Sequence, residues 1–133
     1  MYCYEKIVVL RKNSKRLEKL TAQEEEAMRA IWKLEGGFVK DILDEMTSDM
    51  PYTTLASTIK NLEKKGYVSH ERHANANKYI PRISQTDYKR SFMSGFVGEY
   101  FGNSYKEMVS FFAEEQKLKP EELEEILKII NKK

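Results

Sequence analysis

The chain has a single cysteine, Cys3, among 133 residues. That excludes a disulfide framework within one chain, and any structural zinc site that needs two or more thiolates. Long apolar runs are missing too. The run Ile7, Val8, Val9, Leu10 is far short of the roughly 20 residues a membrane helix needs. It also lacks the length and the small-residue cleavage site of a signal peptide. A cytoplasmic protein without membrane insertion is the expectation. No Ser/His/Asp arrangement, phosphate loop or G-x-G-x-x-G sequence occurs, so no catalytic residue, no cofactor and no enzyme activity are expected. What is present is core material: 11% of residues are aromatic, which sets the chain apart from disordered and collagen-like compositions.

Net charge is small, +2, since 23 Lys and Arg face 21 Asp and Glu. The total conceals an uneven distribution. Residues 1–19 carry a net +4, 20–51 a net −5, 52–90 a net +5 and 91–133 a net −2. Phosphate binding is short range at physiological salt, so the local sign outweighs the total. The second basic block is a candidate for contact with a polyanion. A solvated surface of random charge variation fits the same numbers.

Thr21-Ala-Gln-Glu24 predicts a capping box at the start of a first helix. Glu24, Glu25 and Glu26 then suit its positive N-terminal pole better than a metal ion. Ala27, Met28, Ile31, Trp32 and Leu34 follow at mostly helical spacing, and Gly36-Gly37 is expected to stop the helix. A second helix is predicted over Phe38–Met46, with Val39, Ile42, Leu43 and Met46 on one face. Thr47–Pro51 reads as a turn. A third helix is predicted over Tyr52–Lys65, with Leu55, Ile59 and Leu62 as its apolar stripe and Gly66 as its left-handed terminator. Lys64 and Lys65 are expected to complement its C-terminal dipole. Two β-prone runs, Tyr67–Arg72 and Lys78–Ile83, flank a turn-like pentapeptide, His73–Asn77. Pro81 places the second strand at an edge or near its own end.

Ser84 or Thr86 is expected to cap a fourth helix beginning near Asp87. Tyr88, Phe92, Phe96 and Tyr100 recur in it every four residues. Gly95, Gly98 and Gly102 mark close packing or breaks. A fifth helix, Ser104–Glu115, is expected to bury Met108, Val109 and Phe111 or Phe112. Pro120 opens a sixth, with Leu123, Ile126, Leu127 and Ile130 apolar.

Three helices followed by a hairpin is the order of a winged helix-turn-helix. The fold class expected is mainly α with a small β-hairpin: a winged helix-turn-helix and a C-terminal helical dimerisation region. The division expected is a basic extension over 1–19, a DNA-binding domain over 20–83 and a dimer-forming region over 84–133. Opposite the apolar stripe of the third helix, Thr53, Ser57, Lys60 and Lys64 share one face, bordered by Thr54 and Asn61. Small hydroxyls allow close approach, Asn can read adenine and Lys neutralises phosphate. These six residues, with His73 and Lys78 of the hairpin, are the candidate contacts to double-stranded DNA. His70-Glu-Arg-His73 lacks the helical spacing of a zinc-protease motif, so no metal is assigned. The dimer candidates are Tyr88, Phe92, Phe96, Tyr100, Met108, Phe112, Leu123 and Leu127, because a palindromic operator demands a symmetric pair; packing of these helices back on the same core is the alternative. Residues 1–19 are either a DNA-contacting arm or an extension without a role. Two other readings stay open: a ligand-sensing winged helix with an aromatic pocket in the last helices, and a protein-interaction module that binds no DNA.

Over Leu20–Lys133 the residues resemble the penicillinase-repressor (BlaI/MecI/CopY) family of bacterial winged-helix transcriptional repressors. The resemblance runs through Leu20, Thr21, Glu24, Met28, Ile31 and Trp32. It continues in Thr54, Leu55, Ser57, Ile59 and Leu62, then Lys64-Lys65-Gly66-Tyr67-Val68, Tyr79, Pro81 and Tyr88. It ends in Ser104, Tyr105, Met108, Val109, Phe112, Glu121-Glu122-Leu123 and Asn131-Lys132-Lys133. It implies a homodimeric repressor on a palindromic operator, released on a signal. In the antibiotic-responsive members a membrane sensor-linked protease cuts an Asn-Phe bond. Aligned on Val109, Phe111-Phe112 occupy that bond, so Phe111 stands in place of the Asn. The copper-responsive members carry a C-terminal Cys-x-Cys, and no cysteine follows Cys3 here. Ala56 and Asn61 replace frequent arginines of the family's recognition helix.

Overall fold

A computed structural model of the chain describes residues 17–132. Among them the order is α1 (Ala22–Leu34), β1 (Gly37–Phe38), α2 (Val39–Glu45), α3 (Tyr52–Lys64), β2 (Val68–His73), β3 (Ala76–Pro81), α4 (Gln85–Phe101), α5 (Tyr105–Glu114) and α6 (Pro120–Asn131). The basic extension falls mostly on residues 1–16, outside the described residues. The chain divides into two compact units, one ending at Ser91 and the other beginning at Phe92.

In the first unit, helical periodicity gives α1, α2 and α3 one apolar side each, and these sides meet. Met28, Ile31, Ile42, Leu55, Ile59 and Leu62 are fully buried, and Tyr67, Val68 and Tyr79 join the same core from the hairpin side. The capping box at α1 is complete. Thr21 Oγ1 accepts from the Glu24 N–H at 3.1 Å, and Glu24 Oε1 accepts from the Thr21 N–H at 2.9 Å.

The end of α1 differs from expectation. The left-handed residue is Glu35, at φ +59°, and the Gly36 N–H closes the turn on the Ile31 carbonyl at 3.0 Å. Gly36 serves another purpose. At φ +110°, a Cβ on it would lie 2.7 Å from the Tyr79 carbonyl oxygen. The glycine lets the chain pass close to β3. Phe38, expected to be helical, is extended instead and pairs with Lys78, while Gly37 pairs with Tyr79. The sheet order is therefore β1-β3-β2, with β3 in the centre. Pro81 sits at the end of β3, not on an edge strand, where its missing N–H costs no ladder bond in mid-strand.

The hairpin's loop is shorter than expected. His73 and Ala76 pair directly, so the loop is two residues, Ala74 and Asn75, with Ala74 at φ +54°. A two-residue loop with a positive first φ suits the twist of antiparallel strands. Gly66 does end α3 as expected, at φ +84°. Ser84, not Thr86, caps α4: its Oγ accepts from the Asp87 N–H at 3.0 Å.

The second unit holds the rest of α4 with α5 and α6. Phe96 lies 5.0 Å from Tyr100 and 5.9 Å from Phe101, ring centre to ring centre, and Phe101 lies 5.8 Å from Phe111. Val97 is its one fully buried aliphatic side chain among the described residues. Ser104 caps α5 and Pro120 is the first residue of α6. Of the burial expected on α5, the described residues provide only part, at Met108, which is half-buried. Val109, Phe111 and Phe112 are exposed, as are Ile126, Leu127, Ile129 and Ile130 on α6. Three helices of this length have too little facing surface to cover so many apolar side chains.

Candidate nucleic-acid interface

α3 presents two opposed faces. Leu55, Ile59 and Leu62 are fully buried and Thr58 nearly so. Each buried aliphatic side chain stabilises by about 1.5–3 kcal/mol, so turning α3 about its axis would forfeit most of that. The opposite face is thereby fixed outward. Thr53, Ser57, Lys60, Asn61 and Lys64 are all exposed, and Thr54 is half-buried at the border. Lys60 and Lys64 form no ion pair among the described residues. Pro51 precedes the helix and offers its first turn no side-chain bond. The first N–H groups of α3 are left for solvent or an anion, which the helix dipole also favours.

Lys65 behaves differently from its neighbour. Its Nζ lies 2.6 Å from Glu24 Oε1 and donates to the Lys19 carbonyl at 2.9 Å. Burial opposes the Glu24 charge, but hydrogen bonds from Lys65 and Thr21 and the Lys65 charge outweigh it. The carboxyl is held below the ordinary glutamate value. Lys65 therefore ties the end of α3 to the start of α1, a role unlike the expected dipole partner. Beside it the Tyr67 hydroxyl donates to the Glu18 carbonyl at 2.6 Å. Burial, with the charges of Glu18 and Glu24, pushes that phenol up to about 12.

The hairpin's alternation sorts its polar residues. Val68 and Tyr79 are buried, and the register pairs Val68 with Pro81, His70 with Tyr79 and Arg72 with Asn77. These six share the face turned toward the core and α3. The Nδ1 of His70 lies 2.6 Å from Glu63 Oε2, which joins that face to the last turn of α3. His73 and Lys78 lie on the other face. His73 sits edge-on to Phe38, with ring centres 5.8 Å apart, and 3.3 Å from Glu71 Oε1. Arg72 is not among the residues the sequence singles out; the short loop brings Asn77, expected in the turn, into the ladder opposite it.

The remaining candidates are spread over both units. Tyr88 belongs with the first: its hydroxyl donates to Glu25 Oε2 at 2.6 Å, and its ring lies 5.5 Å from Trp32 and 5.9 Å from Tyr67. Burial and the Glu25 bond raise its pKa far above an ordinary tyrosine. The Trp32 indole N–H donates to the Ile83 carbonyl at 2.8 Å. Phe92, Tyr100, Phe112 and Leu127 are exposed, whereas Phe96, Met108 and Leu123 are half-buried. Phe111 and Phe112 are consecutive and exposed on α5. Among the described residues, no group of three or more His, Cys, Asp and Glu side chains is placed to hold a metal ion, and no helix is long and apolar enough to cross a membrane.

Three packed helices, a turn between the second and third, and a core-facing hairpin define a winged helix-turn-helix. The penicillinase repressor family pattern matches residues 20–132, and the chain belongs to that family. It is 26% identical over 116 residues to the methicillin resistance regulatory protein MecI of Staphylococcus aureus, covering 86% of this chain and 94% of that one. It is 26% identical over 118 residues to the penicillinase repressor of Bacillus licheniformis, covering 87% and 92%. A solution structure of Bacillus licheniformis BlaI in monomeric form, in complex with the blaP half-operator, is 27% identical with a TM-score of 0.47, covering 54% of this chain and 90% of that one.

Proposed function

We propose that the chain is a transcriptional repressor that binds double-stranded DNA at a palindromic operator as a homodimer. One observation carries the reading: the outward face of α3, where Thr53, Ser57, Lys60 and Lys64 are exposed along one side while the opposite side is fully buried. A helix so fixed offers hydroxyl, amide and ammonium groups to a major groove. Membership in a repressor family supports it. The apolar side chains exposed on α5 and α6 support self-association, since a folded monomer rarely leaves so much apolar surface in water. A two-fold pair then presents two α3 helices to two half-sites.

Release on a signal follows if the helical region is disrupted. A membrane sensor-linked protease acting at Phe111-Phe112 would divide α5, and both side chains are exposed. The peptide is inside a helix, so cutting requires local opening of α5 first.

The test is Lys60→Glu. Wild-type protein is used to select a duplex from a random-sequence library. On that duplex the variant should bind roughly tenfold or more weakly, with its unfolding free energy within about 0.5 kcal/mol of wild type, as for an exposed site. Retained affinity overturns the assignment of α3, and failure of wild type to select any duplex overturns DNA binding itself.

A further inference from the structure

We propose that Tyr52 is a base-reading residue of this interface, packing its ring against the 5-methyl group of a thymine in the major groove. The proposal rests on the reading of α3 as the DNA-binding helix and adds a specificity-determining residue to it.

An exposed ring is ordinary by itself; the place of this one is not. Tyr52 is 53% exposed, and among the described residues it is the one large apolar side chain left exposed in the first unit. The others lie on α4, α5 and α6, where self-association can cover them. Tyr52 is the first residue of α3, the end at which a groove-bound recognition helix brings its side chains to base edges. Helix side chains lean toward the N-terminus, so the ring reaches beyond the first turn, and its neighbours Thr53 and Thr54 are much shorter.

The ring is also continuous with the face assigned to DNA. Tyr52, Ala56 and Lys60 follow at intervals of four, a single row along the helix. Lys60 is exposed, whereas Ala56 is short and half-buried, so the row is low between the ring and the ammonium. Nothing in the first unit holds the ring. Among the described residues no aromatic ring packs on it and its hydroxyl makes no hydrogen bond. Its apolar area is free for a partner. Of the four base edges in the major groove, thymine alone presents a methyl group, which gives an uncharged ring something to bury against.

The test uses full-length protein on the duplex that wild type selects, with each thymine replaced in turn by deoxyuridine, which removes only the methyl group. Wild type should lose about fourfold in affinity at one thymine of each half-site, the worth of one buried methyl. Tyr52→Ala should bind the parent duplex roughly tenfold more weakly and show no further loss at that thymine. Tyr52→Phe should keep both the affinity and the loss on deoxyuridine. Tyr52→Ser repeats the test with a second truncation, and thermal unfolding of each variant separates misfolding from lost contact. The proposal is overturned if no deoxyuridine weakens wild type, or if the same loss persists in both truncations. It is overturned equally if Tyr52→Phe binds as weakly as Tyr52→Ala, which would assign the contact to the hydroxyl. If wild type selects no duplex, the reading of α3 has failed instead.

Discussion

Lys65, one residue beyond α3, places its ammonium 2.6 Å from the carboxylate of Glu24 in the first turn of α1. The Glu24 side chain is 6% exposed and the Lys65 side chain 20%. The pair joins the two helices that carry most of the winged-helix core.

Removing Lys65 leaves Glu24 buried without its partner. Lys65→Ala should destabilise the fold by roughly 3 kcal/mol, read from urea denaturation near neutral pH. A loss under about 1 kcal/mol, the scale of an exposed pair, would show that the contact contributes little.

The same pair gives the acid limb of stability a definite sign. Glu24 titrates below its ordinary value of 4.5 in the folded state. Its contribution is therefore complete above that value and is lost as pH falls through the lower folded one. Glu24→Gln should be less stable than wild type at about pH 6, and the gap should narrow as pH falls below 4.5. A constant gap across that range would assign the effect to packing.

Gly36 passes close against the sheet. Gly36→Ala combines a positive φ with a 2.7 Å approach to the Tyr79 carbonyl. The loss should be about 1–3 kcal/mol, and amide exchange should quicken at Tyr79, whose strand partner is Gly37. Gly66→Ala is the control. It shares the positive φ, but a Cβ there meets nothing within 4 Å, so its loss should be smaller.

The helical region makes the oligomer prediction. Full-length protein at micromolar concentration should sediment as a dimer, and Leu127→Glu should sediment as a monomer while keeping its helical circular dichroism. A full-length monomer would remove the palindromic part of the proposed function. A chain ending at Ser91 is the better truncation than one ending at Ile83, because it retains Tyr88 and its bond to Glu25.

Much of this was legible in the sequence. The Thr21/Glu24 box, the Leu55/Ile59/Leu62 stripe and Gly66 all act within about one helical turn, so a short window displays them. The outward face of α3 follows from that stripe alone. The exposed apolar side chains of α5 and α6 were visible as apolar, but whether their own chain buries them depends on what packs opposite. Tyr88 looked like one member of an aromatic series; only the fold shows it bonded to Glu25, 63 residues away.

Local order, in short windows, was thus set by the sequence alone: the helices, their caps and the two-faced character of α3. The tertiary structure decided which of two adjacent lysines is committed, with Lys65 drawn to Glu24 and Lys64 left exposed. It decided that Gly37–Phe38 is a strand, that Glu35 rather than a glycine ends α1, and that Arg72 rather than His73 shares a face with α3. The physical reason is range. Periodicity and capping join residues three or four apart, whereas strand register and ion pairing here join residues some 40 apart, and folding brings those together only when the core closes.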